Sequence, residues 1–568
     1  MLHKSGMQTW EYSPVYALRT FAFLYPMYGV GVGLKLLTGN KVVQFLLLRS
    51  IVAGLLSGVG ELALGRAMVR SKWLFLDSHY DEMKKERVGF LFLLFSMVSP
   101  GMFHASGAFL PSTFAMFCVT WSTIFLLDIN VPTIEVSSNN DDENEDDLSR
   151  TSSVSSIAMC KEMKHAIFVG LVATLALGWP FCAVCWIPCG LYAVYDAFFV
   201  NMIEGGTSCG PLSTVVKLLQ RTAQHAIFIQ AIVTFIDYAY YGKVTFPSIN
   251  IFLYNTSNGG DELYGVEPTS FYLKNILLNF NVVGVFALVF PLAWLMQLHK
   301  RSVKSNELLF VTLVAPLVLW FCIIVPRPHK EERFVFPVYP LICAGGAVGL
   351  EMCLQYIKPI LEAVSRSKKA SEGMLKLSRG LIVITCCFMS VARIAALHKY
   401  YAAPLYLYTT LHDKISHSSS NATVCVGGDW HRYPSSFFLP PGSHLAFLPS
   451  NFKGQLPQPF PPGGVAVDPI EPFNNLNKEE KSRYIEGGVS SCAFVVELVF
   501  DRLGTSPPTT ILQMQEDKGG KWDMVNEFEF LDAERTGGLH RLLFIPYISK
   551  RRVVMGKYAL FERKRVSK

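Results

Sequence analysis

Five consecutive residues between two apolar stretches have side chains that could do chemistry. They are His329, Lys330, Glu331, Glu332 and Arg333. The flanking apolar stretches, 308–326 and 334–356, are each long enough to cross a bilayer as a helix. Because ionisable side chains are expensive within hydrocarbon, such a run usually marks a functional site in a membrane protein.

The chemistry that fits this run is the binding of a phosphate carried by a lipid. Lysine offers a point charge and arginine a two-pronged hydrogen-bond donor. Either glutamate could pair with Arg333 and fix its orientation. The alternative is a basic turn whose side chains only reach the lipid headgroups. Headgroup contact does not need five consecutive ionisable residues, so we favour the phosphate site.

The elements that would position this turn are transmembrane helices. The 568-residue chain is 51% hydrophobic and 17% charged, against about 25% charged residues in soluble domains, and its mean hydropathy is +0.31. We therefore predict a polytopic α-helical membrane protein with roughly ten spans. The net charge of +7 is modest, and no basic face with interleaved aromatic residues indicates a nucleic-acid partner. The candidate spans lie near residues 15–37, 42–69, 88–127 (long enough for two), 165–187, 188–203, 222–241, 276–298, 308–326, 334–356 and 379–398.

The sequence changes character at about residue 400. From there to residue 568 no stretch could span a membrane, and short apolar or alternating runs are separated by proline and glycine clusters. The runs that predict strands are ATVCVGG, HLAFLPS, CAFVVELVF, LHRLLFIPYI and VVMGKYALF. We predict a multi-spanning domain over 1–399 and a C-terminal β-rich soluble domain over 400–568. Residues 137–156 are acidic and then serine-rich, which predicts a disordered loop between spans.

The distribution of basic residues predicts the orientation of the chain. Lysine and arginine are frequent in segments 70–87, 299–304 and 358–379, which the positive-inside bias assigns to the cytoplasm. The ionisable turn, the loop 242–272 and the C-terminal domain would then face the opposite, luminal side. Asn421 begins an Asn-Ala-Thr glycosylation acceptor in that domain, which is consistent with a luminal location.

Several residues of the predicted luminal segments are candidates for bonding or binding. In an oxidising lumen Cys425 and Cys492 could pair, although the sequence does not show that they meet. The loop 242–272 mixes carboxylates with aromatic rings, which suits sugar binding, and an ordinary interfacial loop fits equally well. Its candidate residues are Asp261, Glu262, Tyr264 and Glu267.

Three cysteines have a spacing that could suggest a metal. Cys182, Cys185 and Cys189 form a CxxCxxxC pattern, but they lie inside an apolar run with no fourth ligand nearby. Packed membrane thiols are therefore favoured over a zinc site. We predict neither a metal nor a cofactor.

The stretch HKEERFVFPVYPLICAGGAVGLE, which begins at His329, carries a family resemblance. It resembles the signature of the endoplasmic-reticulum mannosyltransferases that use dolichol-phosphate mannose, whose common core is His-Lys-Glu-x-Arg-Phe. It is most similar to the α-1,2-mannosyltransferases of asparagine-linked glycan assembly. Further matching stretches cover nearly the whole chain: QTWEYSPVYALR (8–19), ASGAFLPSTFAM (105–116), YYGK (240–243), NIFLYN (250–255), DELYGVEPTSFY (261–272), LNFNV (278–282), VCVGGDWHRYPSSFFLP (424–440) and GQLPQPF (454–460).

The resemblance implies a GT-C type fold and a multi-pass enzyme of the endoplasmic-reticulum membrane with a luminal active site. It implies transfer of mannose, with inversion, in α-1,2 linkage to a dolichol-diphosphate-linked oligosaccharide. Such a displacement needs a base beside the acceptor hydroxyl and positive charge on the departing phosphate. The resemblance assigns the donor phosphate to His329, Lys330 and Arg333, with Glu331 as their partner. Alternatives are a mannosyltransferase of glycosylphosphatidylinositol precursors and a non-catalytic lipid or sugar-phosphate binding or transport protein.

One part of the family pattern does not match this sequence. The family's base is expected from an acidic pair in a first luminal loop, which follows a first membrane span. Both are expected upstream of the stretch that reads QTWEYSP here, and neither has a counterpart. Glu11, beside Trp10, is the nearest luminal carboxylate and a candidate contact of the substrate, but the pattern does not place the base there. We expect an incomplete reading of the gene or an alternative product; otherwise the chain is inactive alone.

Overall fold

The computed structural model describes most of the chain. It divides into two compact units, which we call the first unit (Met1–Ile51, Asp237–Thr245 and Phe388–Lys568) and the second unit (Val52–Ile236 and Phe246–Cys387). The loop predicted over 137–156 lies outside the described residues, and the boundary at residue 400 stays a prediction. The described residues are 3, 6–75, 82–130, 157–177, 179–204, 210–257, 261–418, 421–432, 435–460, 473–502, 507–518 and 520–565.

The second unit is helical. Its α-helices are Val59–Arg70, Glu82–Val98, Pro100–Ala105, Pro111–Leu127, Lys161–Leu171, Ile187–Glu204, Pro247–Thr256, Phe271–Leu295, Val303–Leu309, Ala315–Ile324 and Tyr339–Ser365. Two further helices, Pro211–Tyr241 and Lys368–Tyr401, contribute residues to both units. Several helices begin with proline, whose missing N–H costs nothing in a first turn.

Among the described residues, six helices are long and apolar enough to cross a membrane, and two shorter apolar helices accompany them. This agrees with a polytopic membrane protein, while the predicted total of ten spans stays a prediction. The six are Lys41–Arg70, Pro180–Phe199, Phe271–Leu295, Val303–Ile324, Glu332–Ser365 and Lys368–Tyr401; the shorter two are Ala22–Leu37 and Pro111–Leu127.

A seam of small residues packs two helices of the second unit tightly together. A Cβ built on Gly346 would lie 2.6 Å from Cγ1 of Val283, and one on Gly349 would lie 2.6 Å from the carbonyl oxygen of Phe286. Both distances are too short for any side chain, so glycine allows the helix Tyr339–Ser365 to approach Phe271–Leu295 closely, as in many membrane helix pairs. This contact positions the ionisable turn, because the turn leads directly into the glycine-bearing helix.

The first unit contains the predicted C-terminal sheet. Strands β2 (Thr423–Val426), β3 (His444–Phe447), β5 (Phe494–Val499), β6 (Gly520–Leu531) and β7 (Met555–Arg565) form one sheet in the order β3-β2-β5-β7-β6. The β3, β2 and β5 strands run parallel, whereas β7 and β6 are antiparallel to their neighbours. A separate antiparallel pair joins β1 (Met7–Gln8) to β4 (Gln458–Pro459). The β-rich prediction is therefore confirmed.

Helices pack on this sheet and complete the core of the first unit. The buried side chains of Leu407 and Leu411 in one helix join Val424, Val496 and Leu560 from three strands. Successive side chains point to opposite faces of the sheet, so one face reaches this core, while Cys425 and Val495 on the other face join a second buried cluster. The α-helices confined to the first unit are Tyr25–Leu37, Lys41–Ile51, Ala403–Ser418, Ser435–Phe438, Thr509–Glu516 and Gly538–Leu542.

The structure describes the cysteines of both hypotheses, the pairing of Cys425 with Cys492 and the CxxCxxxC pattern. Cys425 and Cys492 are joined by a disulfide with their Cα atoms 5.9 Å apart, because β2 and β5 are neighbours in the sheet. The three thiols of the CxxCxxxC pattern are buried, and Sγ of Cys189 lies 3.4 Å from Sδ of Met163. In the part of the chain that the structure describes, no group of three or more His, Cys, Asp or Glu side chains could hold a metal ion.

Candidate functional site

The ionisable turn lies between two apolar helices of the second unit and is anchored on its C-terminal side. A 3₁₀ helix over Glu332–Val338 begins within the run and continues beyond it, and the last four residues of this helix are buried. Nε1 of Trp320 donates a hydrogen bond to the carbonyl of Phe334 at 2.9 Å. The apolar residues after the charged run are therefore buried and anchor the turn, while the charged residues lie on its opposite side.

His329, Glu331 and Arg333 form one bonded cluster. Nε2 of His329 donates to Oε1 of Glu331 at 2.9 Å, and Nη2 of Arg333 donates to the same oxygen at 2.7 Å. Nε of Arg333 lies 2.6 Å from Oε2 of Glu331, so the guanidinium binds both carboxylate oxygens. Nδ1 of His329 faces the carbonyl of Gly265 at 3.1 Å. Because both ring nitrogens face acceptors, this geometry suits a protonated imidazole, which has two donors.

The charges in this cluster set the protonation of its carboxylate. Burial raises the pKa of the Glu331 carboxyl, but the hydrogen bonds from His329 and Arg333 and the charge of Arg333 outweigh burial and leave the pKa below its usual value. Glu331 is therefore ionised at neutral pH and holds the two cationic groups in place. The side chain of Arg333 is 41% exposed, which leaves part of the guanidinium open to a ligand.

Lys330 occupies a different environment. The residue is 5% exposed, and Nζ donates to the carbonyl of Glu267 at 2.9 Å and to the carbonyl of Arg327. Among the described residues, no carboxylate lies within ion-pair distance of this ammonium. Lys330 therefore places a buried positive charge behind the turn, held by backbone oxygens.

The predicted sugar-binding loop lies directly on the turn. Glu267 N donates to the carbonyl of Pro328 at 3.0 Å, and the ring of Tyr264 packs edge-on against His329 with centroids 6.1 Å apart. Glu262 and Glu267 are exposed, and Asp261 begins a short 3₁₀ helix that ends at Tyr264. The structure thus brings this loop and the ionisable turn together.

Glu332 points to a second polar cluster, which the sequence reasoning did not foresee. Nδ2 of Asn279 donates to Oε1 of Glu332 at 2.8 Å, and Nε2 of His104 lies 2.5 Å from the same oxygen. The hydroxyl of Tyr339 also reaches it at 3.4 Å. Asn281, two residues after Asn279, has a φ of 41° inside its helix. The sequence did contain a signal for this cluster, because His104 directly precedes the family-like stretch ASGAFLPSTFAM and Asn279 lies within the family-like stretch LNFNV.

The sequence of the chain is similar to those of known proteins. A model described as the Alg9-like mannosyltransferase family matches residues 1–440. The chain belongs to this family. It is 33% identical to the α-1,2-mannosyltransferase ALG9 of Mus musculus over 99% of this chain and 83% of the relative, and 32% identical to the ALG9 of Homo sapiens with the same shares covered.

A comparison with solved structures found ArnT from Cupriavidus metallidurans in the apo state. The TM-score is 0.43 at 13% identity, over 78% of this chain and 76% of that chain. A second crystal structure, of ArnT bound to undecaprenyl phosphate, has the same TM-score at 12% identity, over 79% and 83% of the two chains.

The remaining sequence candidates of the enzyme belong to the first unit. Oε1 of Glu11 pairs with Nη2 of Arg19 at 2.8 Å, and the ring of Trp10 packs edge-on against Tyr16 at 5.2 Å. Glu11 therefore lies in a different compact unit from the ionisable turn. Asn421 is exposed and lies two residues before the start of β2.

The ionisable turn of this enzyme is rich in cationic side chains, and buried residues and hydrogen bonds hold it in place. Three groups can act on an anion: the open part of Arg333, the imidazole of His329, and the buried charge of Lys330. Charge-assisted hydrogen bonds and preorganised positive charge are what a developing phosphate anion requires. What the arrangement can do chemically is bind a phosphate and stabilise it as a leaving group.

Proposed function

We propose that this mannosyltransferase takes mannose from dolichol-phosphate mannose. The acceptor is the dolichol-diphosphate-linked oligosaccharide of protein N-glycosylation, and the new linkage is α-1,2. The observation that carries this proposal is the cation-rich turn in a chain whose family membership is shown. Relatives with the name α-1,2-mannosyltransferase match 99% of the chain, which favours this acceptor class over glycosylphosphatidylinositol precursors.

The reaction is a single displacement at the anomeric carbon of the donor mannose. A hydroxyl oxygen of the acceptor attacks C1, the bond from C1 to the phosphate oxygen breaks, and dolichol phosphate leaves with the electron pair. The hydroxyl proton passes to a carboxylate base, as general-base catalysis of such a step requires. We assign no residue of this chain as that base, because Glu11 is already paired with Arg19.

The ionisable turn binds the phosphate of the donor. Arg333 contributes a directional guanidinium, and His329 contributes a second donor once it exchanges Glu331 for the phosphate. Lys330 acts through its field, because its ammonium is held by the carbonyls of Glu267 and Arg327. This modifies the sequence-based role of Lys330 from a direct ligand to a source of buried positive charge.

The loop over the turn contacts the mannosyl group. Glu262 and Glu267 are exposed there, and Tyr264 already packs against His329. Carboxylates that accept sugar hydroxyls beside a phosphate site would orient the donor mannose toward the acceptor. We place this site and the C-terminal sheet in the lumen of the endoplasmic reticulum, on the basis of the charge distribution of the loops.

A complementation experiment tests the proposed function. The full chain is expressed in cells lacking their own α-1,2-mannosyltransferase of this pathway, and their lipid-linked glycans are analysed by mass. The expected result is extension of the truncated glycan by hexose that an α-1,2-mannosidase removes. A stable, correctly located protein that leaves the glycan truncated would contradict the proposal.

A further inference from the structure

A cavity lies in the first unit, at one edge of the five-stranded sheet. It has a volume of about 280 Å³. Gly428 follows the end of β2, Ser450 and Asn451 follow β3, and Phe500 follows β5. The three parallel strands therefore all direct their carboxyl ends at this cavity.

The topology of the sheet makes this edge a switch point. β2 lies between β3 and β5, so the chain leaves β2 toward one side of the sheet and later returns to form β5 on the other. The loops that follow β2 and β5 therefore diverge and leave a crevice between them. In open sheets with parallel strands, ligands characteristically bind in this crevice.

A buried carboxyl forms the wall of the cavity. Glu497 is 5% exposed, and its oxygens accept hydrogen bonds from Thr510 Oγ1 and from the backbone N–H of Leu498. A carboxylate has about four lone-pair directions, so it retains capacity for a ligand. A Cβ built on Gly427 would lie 2.8 Å from Oε2 of Glu497. Glycine at that position is thus what allows the loop after β2 to close over the carboxyl.

Among the described residues that line the cavity, none carries an uncompensated positive charge. Arg502 lines it, but its Nη2 lies 2.7 Å from Oδ1 of Asp532 and its Nη1 contacts Oε2 of Glu534. Its guanidinium also packs over the ring of Phe500 at 4.5 Å. A phosphate or carboxylate ligand would meet the carboxyl of Glu497 without a free cation to offset it. The charge pattern therefore excludes anionic ligands.

The remaining lining groups are neutral donors and acceptors. Ser450, Asn451, Thr509 and Thr510 provide hydroxyls and an amide around the carboxyl. Burial raises the pKa of Glu497 to about 7, and the charge of Asp429 adds to this effect against the hydrogen bond from Thr510. Near neutral pH the carboxyl is therefore partly protonated, so it can donate to a sugar hydroxyl as well as accept from one.

We propose that this cavity is a binding site for one uncharged sugar ring. Pockets for drug-sized ligands measure roughly 300–1,000 Å³, so a cavity of this volume fits a single ring rather than an oligosaccharide. The ring belongs either to a branch of the lipid-linked acceptor or to a free sugar. The site does not depend on mannose transfer, because none of its residues lies in the unit that contains the ionisable turn.

The proposal is tested by equilibrium binding to the full chain in detergent. The probes are methyl α-mannoside, the neutral oligosaccharide released from the lipid-linked acceptor, and mannose 6-phosphate. We expect both neutral probes to bind and the phosphate ester to bind at least tenfold more weakly. Tighter binding of the oligosaccharide identifies the acceptor as the source, whereas equal affinity identifies a site for a single sugar.

Two variants separate a binding role from a structural role. A Cβ on Gly428 meets only Ser450 Oγ, at 3.8 Å, so Gly428→Leu fills the cavity without a clash at Cβ. We expect this variant to unfold near the wild-type temperature and to lose binding by at least tenfold. Glu516→Gln, which removes an exposed carboxylate from the same domain, is the matched control and retains binding.

Two outcomes would overturn the proposal. One is an absence of binding by both neutral probes at millimolar concentration, and the other is undiminished binding in a folded Gly428→Leu variant. The outcome of this binding experiment is also independent of the proposed transferase function. Arg333→Ala is expected to impair donor use while leaving this sugar binding intact, so failure of one proposal is distinguishable from failure of the other.

Discussion

Arg333 binds both carboxylate oxygens of Glu331, with Nη2 2.7 Å from Oε1 and Nε 2.6 Å from Oε2. This two-point contact fixes the plane of the guanidinium on a flexible side chain. Because the carboxylate also holds His329, one acidic residue orients both of the directional donors of the turn. The relationship makes Glu331 a positioning residue for the phosphate site.

The first prediction concerns Glu331. Glu331→Gln keeps the size of the side chain but removes the charge that orients Arg333 and His329, so we expect the KM for the donor to rise about tenfold with a smaller change in kcat. Steady-state kinetics with dolichol-phosphate mannose measure this split. Glu362→Gln, which alters the exposed ion pair with Lys358, is the control. Equal kinetics for the two variants would refute the orienting role.

The second prediction separates charge from geometry at Arg333. Arg333→Lys keeps the positive charge but loses the two-pronged contact, so it should retain part of the donor use that Arg333→Ala loses. By analogy with removal of one donor to a developing anion, Arg333→Ala should lower kcat/KM about 100-fold. Initial rates at subsaturating donor give both values. If the lysine variant were as poor as the alanine variant, charge alone would not explain the contribution of this residue.

The third prediction concerns Lys330, whose ammonium lies between two backbone carbonyls. Lys330→Met removes the buried charge and leaves the carbonyls of Glu267 and Arg327 without this donor. An unsatisfied buried polar group costs about 1–3 kcal/mol, so both the melting temperature and donor use should fall. Thermal unfolding in detergent measures the first effect. An unchanged melting temperature would show that Lys330 does not hold the loop on the turn.

The fourth prediction concerns Glu332, which joins the turn to Asn279 and His104. Glu332→Ala removes the acceptor, and because the side chain is 37% exposed we expect a loss of stability near the low end of the range, about 1 kcal/mol. Glu332→Gln retains an oxygen that can accept from Asn279, so it should restore most of the stability. Unfolding by heat distinguishes the pair. Equal destabilisation by both variants would mean that the charge, rather than the hydrogen bond from Asn279, holds this contact.

The fifth prediction is a pH dependence of the first unit. The pKa of Glu497 is raised to about 7 by burial first and by Asp429 second, whereas an exposed glutamate has a pKa of about 4.3. The folded state therefore keeps a proton that the unfolded state loses. The protonated Glu497 therefore stabilises the folded state fully at pH values below the pKa that this group has in the unfolded chain. The stabilisation is lost as the pH rises through the pKa of Glu497 in the folded protein.

Comparison of wild type with Glu497→Gln measures this effect. The amide does not ionise, so the free energy of unfolding of the variant should rise relative to wild type between about pH 4.5 and 7 and stay constant above that. Denaturation monitored across this range, with Glu516→Gln as the control, gives the difference directly. A difference that does not change with pH would show that Glu497 keeps an ordinary pKa in the folded protein.

Local relationships in the site could be predicted from the sequence, and distant ones could not. Arg333 and Glu331 are two residues apart, so their pairing was a foreseeable alternative. The contact between Asn279 and Glu332 joins residues separated by 53 positions, and it exists because the seam at Gly346 packs their helices together. Lys330 was expected to face a ligand, but the loop 242–272 covers it, and the carbonyl of Glu267 accepts a hydrogen bond from its ammonium.

The same distinction holds in the C-terminal sheet. The apolar runs at β2, β3, β5 and β7 predicted strands because burial favours them. The β6 strand was missed, since its charged residues, such as Lys521 and Glu527, lower its hydropathy, although polar and apolar residues alternate over 527–530. The run LHRLLFIPYI was expected to be a strand, but its first residues belong to the helix Gly538–Leu542. Apolar residues in short runs do not distinguish strand from helix.

The central claim is that the ionisable turn binds the phosphate of the donor lipid. The most direct test is equilibrium binding of dolichol phosphate to the purified full chain in detergent, for wild type, Arg333→Ala and the exposed control Lys369→Ala. We predict at least tenfold weaker binding for Arg333→Ala, with the control unchanged. Equal binding by all three proteins would contradict the assignment of the phosphate to this turn.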